Sequence, residues 1–184
     1  MTTGQDSHEN MRFTPASAGN IFQRFHMDSQ VLSEYFKKCF LAVDGLWFMM
    51  LEKTDSFDKA LEIDGRVWEI LPKIQARKIK ELLKLETATE KDLISAFKFK
   101  LDAEDFVSEI LKKNSQINIT IKKCPWLALL KKSNREHLAE RISDVICSVE
   151  YGVFAKEFME DMDFEVISRR CSGDEVCLFA LKKG

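Results

Sequence analysis

Four cysteines, Cys124, Cys147, Cys171 and Cys177, fall in the last third of the 184-residue chain. Each stands near the end of a predicted element: a strand-to-helix junction, a helix C-terminus and the two flanks of a hairpin turn. Four thiolates complete a tetrahedral zinc site, because the metal is soft enough for sulfur and accepts four ligands. An iron–sulfur cluster is the second metal reading. There is no Cys-x-x-Cys pair, and the same spacing suits thiols that serve as small buried hydrophobes. The fifth cysteine, Cys39, belongs to an apolar helical stripe and reads as core.

Cys124 is also the candidate nucleophile. It precedes Pro125 at an expected helix start, inside a stretch from Lys112 to Arg135 that holds seven basic residues and no acidic one. Basic surroundings and a helix N-terminus both favour a thiolate. The run reads equally as a solvated lysine-rich hairpin. A Cys124–His137 dyad is compatible with the sequence but not indicated by it. Asp144 to Glu165 is the acidic counterpart, with seven acidic residues against Lys156.

Two carboxylates stand out because their neighbours are apolar. Asp64 lies three or four residues from Ala60, Leu61, Val67 and Trp68, and Asp44 sits among Phe40, Trp47 and Phe48. A buried carboxylate needs partners or an altered pKa. Pairing with Arg66 or Arg77 is the structural expectation; lining a ligand pocket with Trp47, Phe48 and Trp68 is the functional one. No phosphate loop, dinucleotide fingerprint or nucleophile elbow occurs.

The elements that must position these groups follow from periodicity. Asp28 or Ser29 caps a helix to about Lys53, with Leu32, Tyr35, Phe36, Cys39, Phe40, Val43, Trp47 and Met50 at helical spacing. Leu46 to Leu51 is apolar all round, which predicts burial on every side. A helix from Ser56 carries Phe57, Ala60, Leu61, Val67, Trp68 and Leu71 inward, and Pro72 opens or kinks into a third, to Leu85. Thr87 and Glu90 have capping-box spacing before a short helix with Leu93, Ile94 and Phe97. Ile117, Ile119 and Ile121 alternate as a strand. Phe106 to Leu111 reads as its hairpin partner through Lys113-Asn114-Ser115. Ser133 and Glu136 suggest a second box and a helix through Ile146, with a last helix from Val149 to about Glu160. Strands Met162–Cys171 and Glu175–Lys182 close the chain around Ser172-Gly173-Asp174.

The order predicts an α+β fold, with N-terminal helices packed on a C-terminal antiparallel sheet built from two hairpins separated by helices. Residues 1–20 read as a mobile tail and 21–184 as one domain, helical to about residue 103. Hydrophobic residues make up 45% of the chain and charged residues 32%; 28 basic against 30 acidic side chains leave a net charge of −2. That balance argues against a nucleic-acid partner, which would call for a basic excess. The N-terminus lacks the basic start and apolar run of a signal peptide. The most apolar stretch, Cys39 to Leu51, is too short to span a bilayer about 30 Å thick. Both point to a cytoplasmic protein with no membrane partner.

The segments Asp44-Gly45-Leu46-Trp47-Phe48 and Ala60-Leu61-Glu62-Ile63-Asp64 through Val67-Trp68 resemble an uncharacterised prokaryotic family. There, a Leu-Asp-Gly-Leu-Trp helix precedes an acidic helix and a later Cys-Pro junction, here Cys124-Pro125. The distal part, with Cys147, Cys171-Ser172-Gly173 and Cys177-Leu178-Phe179, is similar to the L-2-amino-thiazoline-4-carboxylic acid hydrolase-like family. The last third also resembles the 4-vinyl reductase-type small-molecule-binding domain. The resemblance implies a ligand-binding α+β fold and a structural zinc on Cys147, Cys171 and Cys177. The family's glutamate ligand falls on Ser168, and Cys124 would have to replace it.

The sequence therefore reads first as a small-molecule-binding protein with a C-terminal cysteine cluster suited to a structural metal. Its rivals are a hydrolase of a small cyclic C–N substrate, using Cys124 or metal-activated water, and a structural homodimer module.

Overall fold

The computed structural model describes residues 28–86 and 89–184. The chain divides into two compact units, one ending at Phe40 and the other spanning Leu41–Gly184. Helix α1, Ser29–Thr54, begins in the first and continues into the second. At its start the Asp28 carboxylate accepts the Gln30 N–H at 3.1 Å, satisfying one of the amides a helix leaves unpaired. The tail expected over residues 1–20 lies outside the described residues, as does Thr87.

The second unit starts with the rest of α1, followed by α2 (Phe57–Trp68), α3 (Leu71–Leu83) and α4 (Glu90–Ala103). Ser56 caps α2 by accepting the Lys59 N–H at 3.2 Å. Pro72 occupies the first turn of α3, where a missing N–H costs nothing. The capping box of α4 is formed by Thr89 and Asp92, not by Glu90: each side chain accepts the other's backbone N–H, at 3.2 and 3.0 Å. Such caps contribute about 1 kcal/mol. With it, α4 runs to Ala103, longer than the spacing predicts.

The expected α+β architecture is observed. Strands β1 (Val107–Lys113), β2 (Gln116–Lys123), β3 (Met162–Ser168) and β4 (Cys177–Lys183) form one antiparallel sheet in the order β1-β2-β4-β3. Two hairpins are thus sewn together by the β2–β4 pairing. Ile117, Ile119 and Ile121 face inward opposite Leu181, Phe179 and Cys177, because side chains two apart share a face. Between the hairpins lie α5 (Pro125–Lys132), a 3₁₀ turn (Glu136–Leu138) and α6 (Ala139–Lys156).

Two expectations fail in this segment. Ser133 does not open a helix; its hydroxyl donates to the Leu129 and Leu130 carbonyls and ends α5. The helices expected on either side of Val149 are one, since Gly152 in mid-helix costs only about 1 kcal/mol and faces Phe164 of β3.

Helix α6 packs on β3, α2 and α3, while α4 packs on α3 and β1. At the centre, Phe97, Tyr151, Phe154, Phe164 and Phe179 form a chain of ring contacts between 4.6 and 6.0 Å. Gly65 lets α2 approach α6, because a Cβ there would meet the Val145 methyl at 2.9 Å. Contrary to the pattern, α1 has no buried residue. Leu46, Trp47, Met49 and Met50 are exposed, and so is Cys39, which is not core. Periodicity marks an apolar face; covering it requires another element to pack there. Among the described residues, no helix is long and apolar enough to cross a membrane.

Candidate functional site

The sheet's inner face, α2, α5 and α6 enclose a cavity of about 90 Å³. Local structure explains how each polar group reaches it. Cys124 is the N-cap of α5, its Sγ accepting the Leu127 N–H at 3.5 Å. Cys147 comes from the middle of α6. Cys171 lies on a 3₁₀ turn, Arg170–Ser172, closed by Gly173 at φ +100°, a left-handed conformation that suits glycine. Cys177 starts β4 opposite Ile121, and its sulfur accepts the Arg170 N–H at 3.3 Å. Four elements separated in sequence thus bring the four cysteines to one cavity. All five cysteines of the chain are free thiols.

The walls are aromatic. Trp68 and Trp126 meet edge to face at 5.9 Å, and Phe106, Tyr151 and Phe179 complete the lining. Asp44 and Asp64 stand at the junction with a larger outer groove of about 340 Å³, sharing that position with Leu130 and Ile142. Phe48 lines the groove and contacts Phe57 edge-on at 5.6 Å. Trp47 does not join them: it is 67% exposed and lines neither compartment. His137 is exposed and also stays out of the cavity.

Neither aspartate finds the arginine expected for it. Arg66 pairs with Glu62 at 2.6 Å and Arg77 with Glu157 at 3.0 Å. Among the described residues no cation pairs with Asp44 or Asp64. Burial raises the pKa of Asp44. Burial, reinforced by the Asp44 charge and only partly offset by a hydrogen bond from Trp68, pushes Asp64 up to about 7.

The cavity thiols reverse the sequence expectation. Burial pushes Cys124 up to about 12, outweighing the Leu127 and Trp126 amides that pull the other way. Burial likewise raises Cys147, Cys171 and Cys177. A helix N-terminus favours a thiolate by its dipole, but desolvation of the charged form dominates here. Burial at Cys124 therefore favours the thiol over the thiolate, against the pull of the helix N-terminus.

The family model for DUF6125, a family of unknown function, matches residues 26–178. The chain belongs to DUF6125. No curated protein matches the sequence. In this DUF6125 member the thiols are gathered without forming a closed ligand set. Among the described residues, no three His, Cys, Asp or Glu side chains are grouped so as to hold a metal ion. Ser168 donates its hydroxyl to the Val176 carbonyl at 2.9 Å.

The DUF6125 site also holds groups that the motifs did not single out. Glu150 lines the cavity and is 3% exposed. Its signal was present: it stands four residues from Ile146 and from Phe154 on the inward stripe of α6. Its partner, Lys100, 2% exposed on α4, also binds Glu104 at 2.8 Å. Burial alone would lower Lys100, but the two carboxylates outweigh it and hold the ammonium above its ordinary pKa. Trp126 and Ser143 had no signal beyond ordinary core or cap spacing.

Proposed function

We propose that this DUF6125 protein binds a small molecule in the cavity beneath Trp68 and Trp126, and acts in the cytoplasm, where its free thiols persist. The observation that carries the reading is a concave, aromatic-lined space at whose mouth stand two carboxylates with no cation among the described residues. A concave apolar site with a few convergent polar groups is what such ligands require. The resemblance to small-molecule-binding domains points the same way. A hydrolytic role would draw on Asp64, whose pKa near 7 suits proton transfer, rather than on Cys124.

Saturation-transfer NMR with a mixed set of small aromatic amines, alcohols and acids tests the reading. Signals are expected with the wild-type protein and lost with Ile142→Trp, which fills the junction of the two compartments, its fold being checked by circular dichroism. A wild-type protein silent to the whole set overturns it.

The convergence of Cys124, Cys147, Cys171 and Cys177 supports a second role, in which the thiols hold zinc, with an iron–sulfur cluster as the lesser alternative. Zinc would supply structural cross-linking of four elements. The buried thiols must lose protons to ligate it, so uptake would rise with pH. Elemental analysis is expected to find about one zinc per chain, reduced by Cys147→Ser; metal-free protein that folds normally rejects this role.

A further inference from the structure

The cavity has a charge imbalance that fixes the chemistry of its occupant. Two carboxylates, Asp44 from α1 and Asp64 from α2, face the junction of the inner cavity and the outer groove. Glu150 faces the inner cavity from α6. Among the described residues, the cations near this space are engaged elsewhere. Lys100 is held by Glu150 and Glu104. Arg135, on the groove wall, is held by Glu52 at 2.5 Å. Arg169 binds Asp144 and Ser148, and Arg170 donates to the Lys122 carbonyl. The remaining polar groups at the inner cavity are uncharged thiols and hydroxyls.

A neutral ligand would leave both aspartates unanswered in a partly dry site, and an anion would meet their field directly. A cation answers both. Its three ammonium donors match two carboxylates, and its apolar body meets the aromatic lining of Trp68 and Trp126. We propose that the cavity takes an organic ammonium ion, its charged head held between Asp44 and Asp64 and its apolar body lying beneath Trp68 and Trp126. This rests on the small-molecule reading and names its ligand class. The size of the inner space limits the buried part to a few heavy atoms or a single small ring, with any longer substituent directed into the outer groove.

Three probes of nearly one shape isolate the charge: phenethylamine, phenethyl alcohol and hydrocinnamate, titrated calorimetrically at about pH 8, where Asp64 is ionised. The amine is expected to bind about tenfold tighter than the alcohol, with the acid weaker than both. Asp64→Asn and, separately, Asp44→Asn are expected to bring the amine down to the level of the alcohol while leaving the alcohol unchanged. An alcohol that binds as tightly as the amine, or an amine indifferent to both substitutions, overturns the cationic assignment and leaves the small-molecule reading standing. If none of the three binds to the wild-type protein, the cationic assignment falls. A wild-type protein that is also silent to the wider NMR set removes both.

Discussion

A buried acid, Glu150, and two half-buried ones, Asp44 and Asp64, border the same cavity, and their charges are met on opposite principles. In the first, Glu150 and Glu104 close around Lys100 deep in the core, so that carboxylates from α6 and α4 share one ammonium. In the second, Asp44 and Asp64 face each other's field without a cation. The first group is satisfied within the fold and has a structural role. The second raises the energy of the folded state, and in the proposed complex a bound cation would compensate it. Desolvation is common to both; the countercharge separates structural acid from binding acid.

The largest effect should come from breaking the satisfied group. Lys100→Met leaves Glu150 buried without its partner and should destabilise the protein by about 3–5 kcal/mol, read as a fall in the denaturation midpoint. Adding Glu150→Leu should recover most of that loss, since replacing a whole buried pair by apolar groups is close to neutral. Failure of the double variant to recover would mean that the triad is not an isolated unit.

A smaller effect of opposite sign is expected at the unsatisfied group. The folded protein holds the Asp64 proton up to about pH 7, whereas the unfolded chain releases it near 3.8. Folding therefore takes up a proton between these values, and stability declines as pH rises through that window. Above pH 7 the full cost is present. Asp64→Asn removes it and should stabilise the protein by on the order of 2 kcal/mol at pH 8, allowing for solvent screening. The gain should vanish below about pH 4. Asp44→Asn should act in the same direction but more weakly. Thermal melts across the pH range check this; an Asp64→Asn variant less stable than wild type at pH 8 would mean that the carboxylate is paired after all. A variant that gains stability and loses amine binding would show the trade expected where a binding site is held under electrostatic strain.

Much of the fold could be read from local chemistry. Alternating Ile117, Ile119 and Ile121 announced β2, and Cys124-Pro125 announced the start of α5. Asp44, Asp64 and Trp68 were visible as site candidates because acids and aromatics interrupt or punctuate apolar stripes. Glu150 carries the same signal within the continuous helix α6, which a helix boundary at Val149 would hide. The Lys100–Glu150 pair was not visible, because its partners are 50 residues apart, unlike the local Lys100–Glu104 contact.

What the sequence by itself determined is the α+β class and most of the elements in their order, the segment from Ser133 to Glu160 excepted, since caps, turns and periodicity act within a few residues. It also put Cys124, Cys171 and Cys177 near the ends of elements, whereas Cys147, expected at a helix C-terminus, lies in the middle of α6. The tertiary structure alone decided which apolar faces are covered, leaving Trp47 in solvent and enclosing Trp68. It alone set the protonation of Cys124, because the thiolate-favouring dipole belongs to the adjacent turn while the opposing desolvation comes from every element around the cavity. Charge compensation is likewise a matter of distance in space. It separated Glu150, which found its lysine, from Asp44 and Asp64, which found none among the described residues.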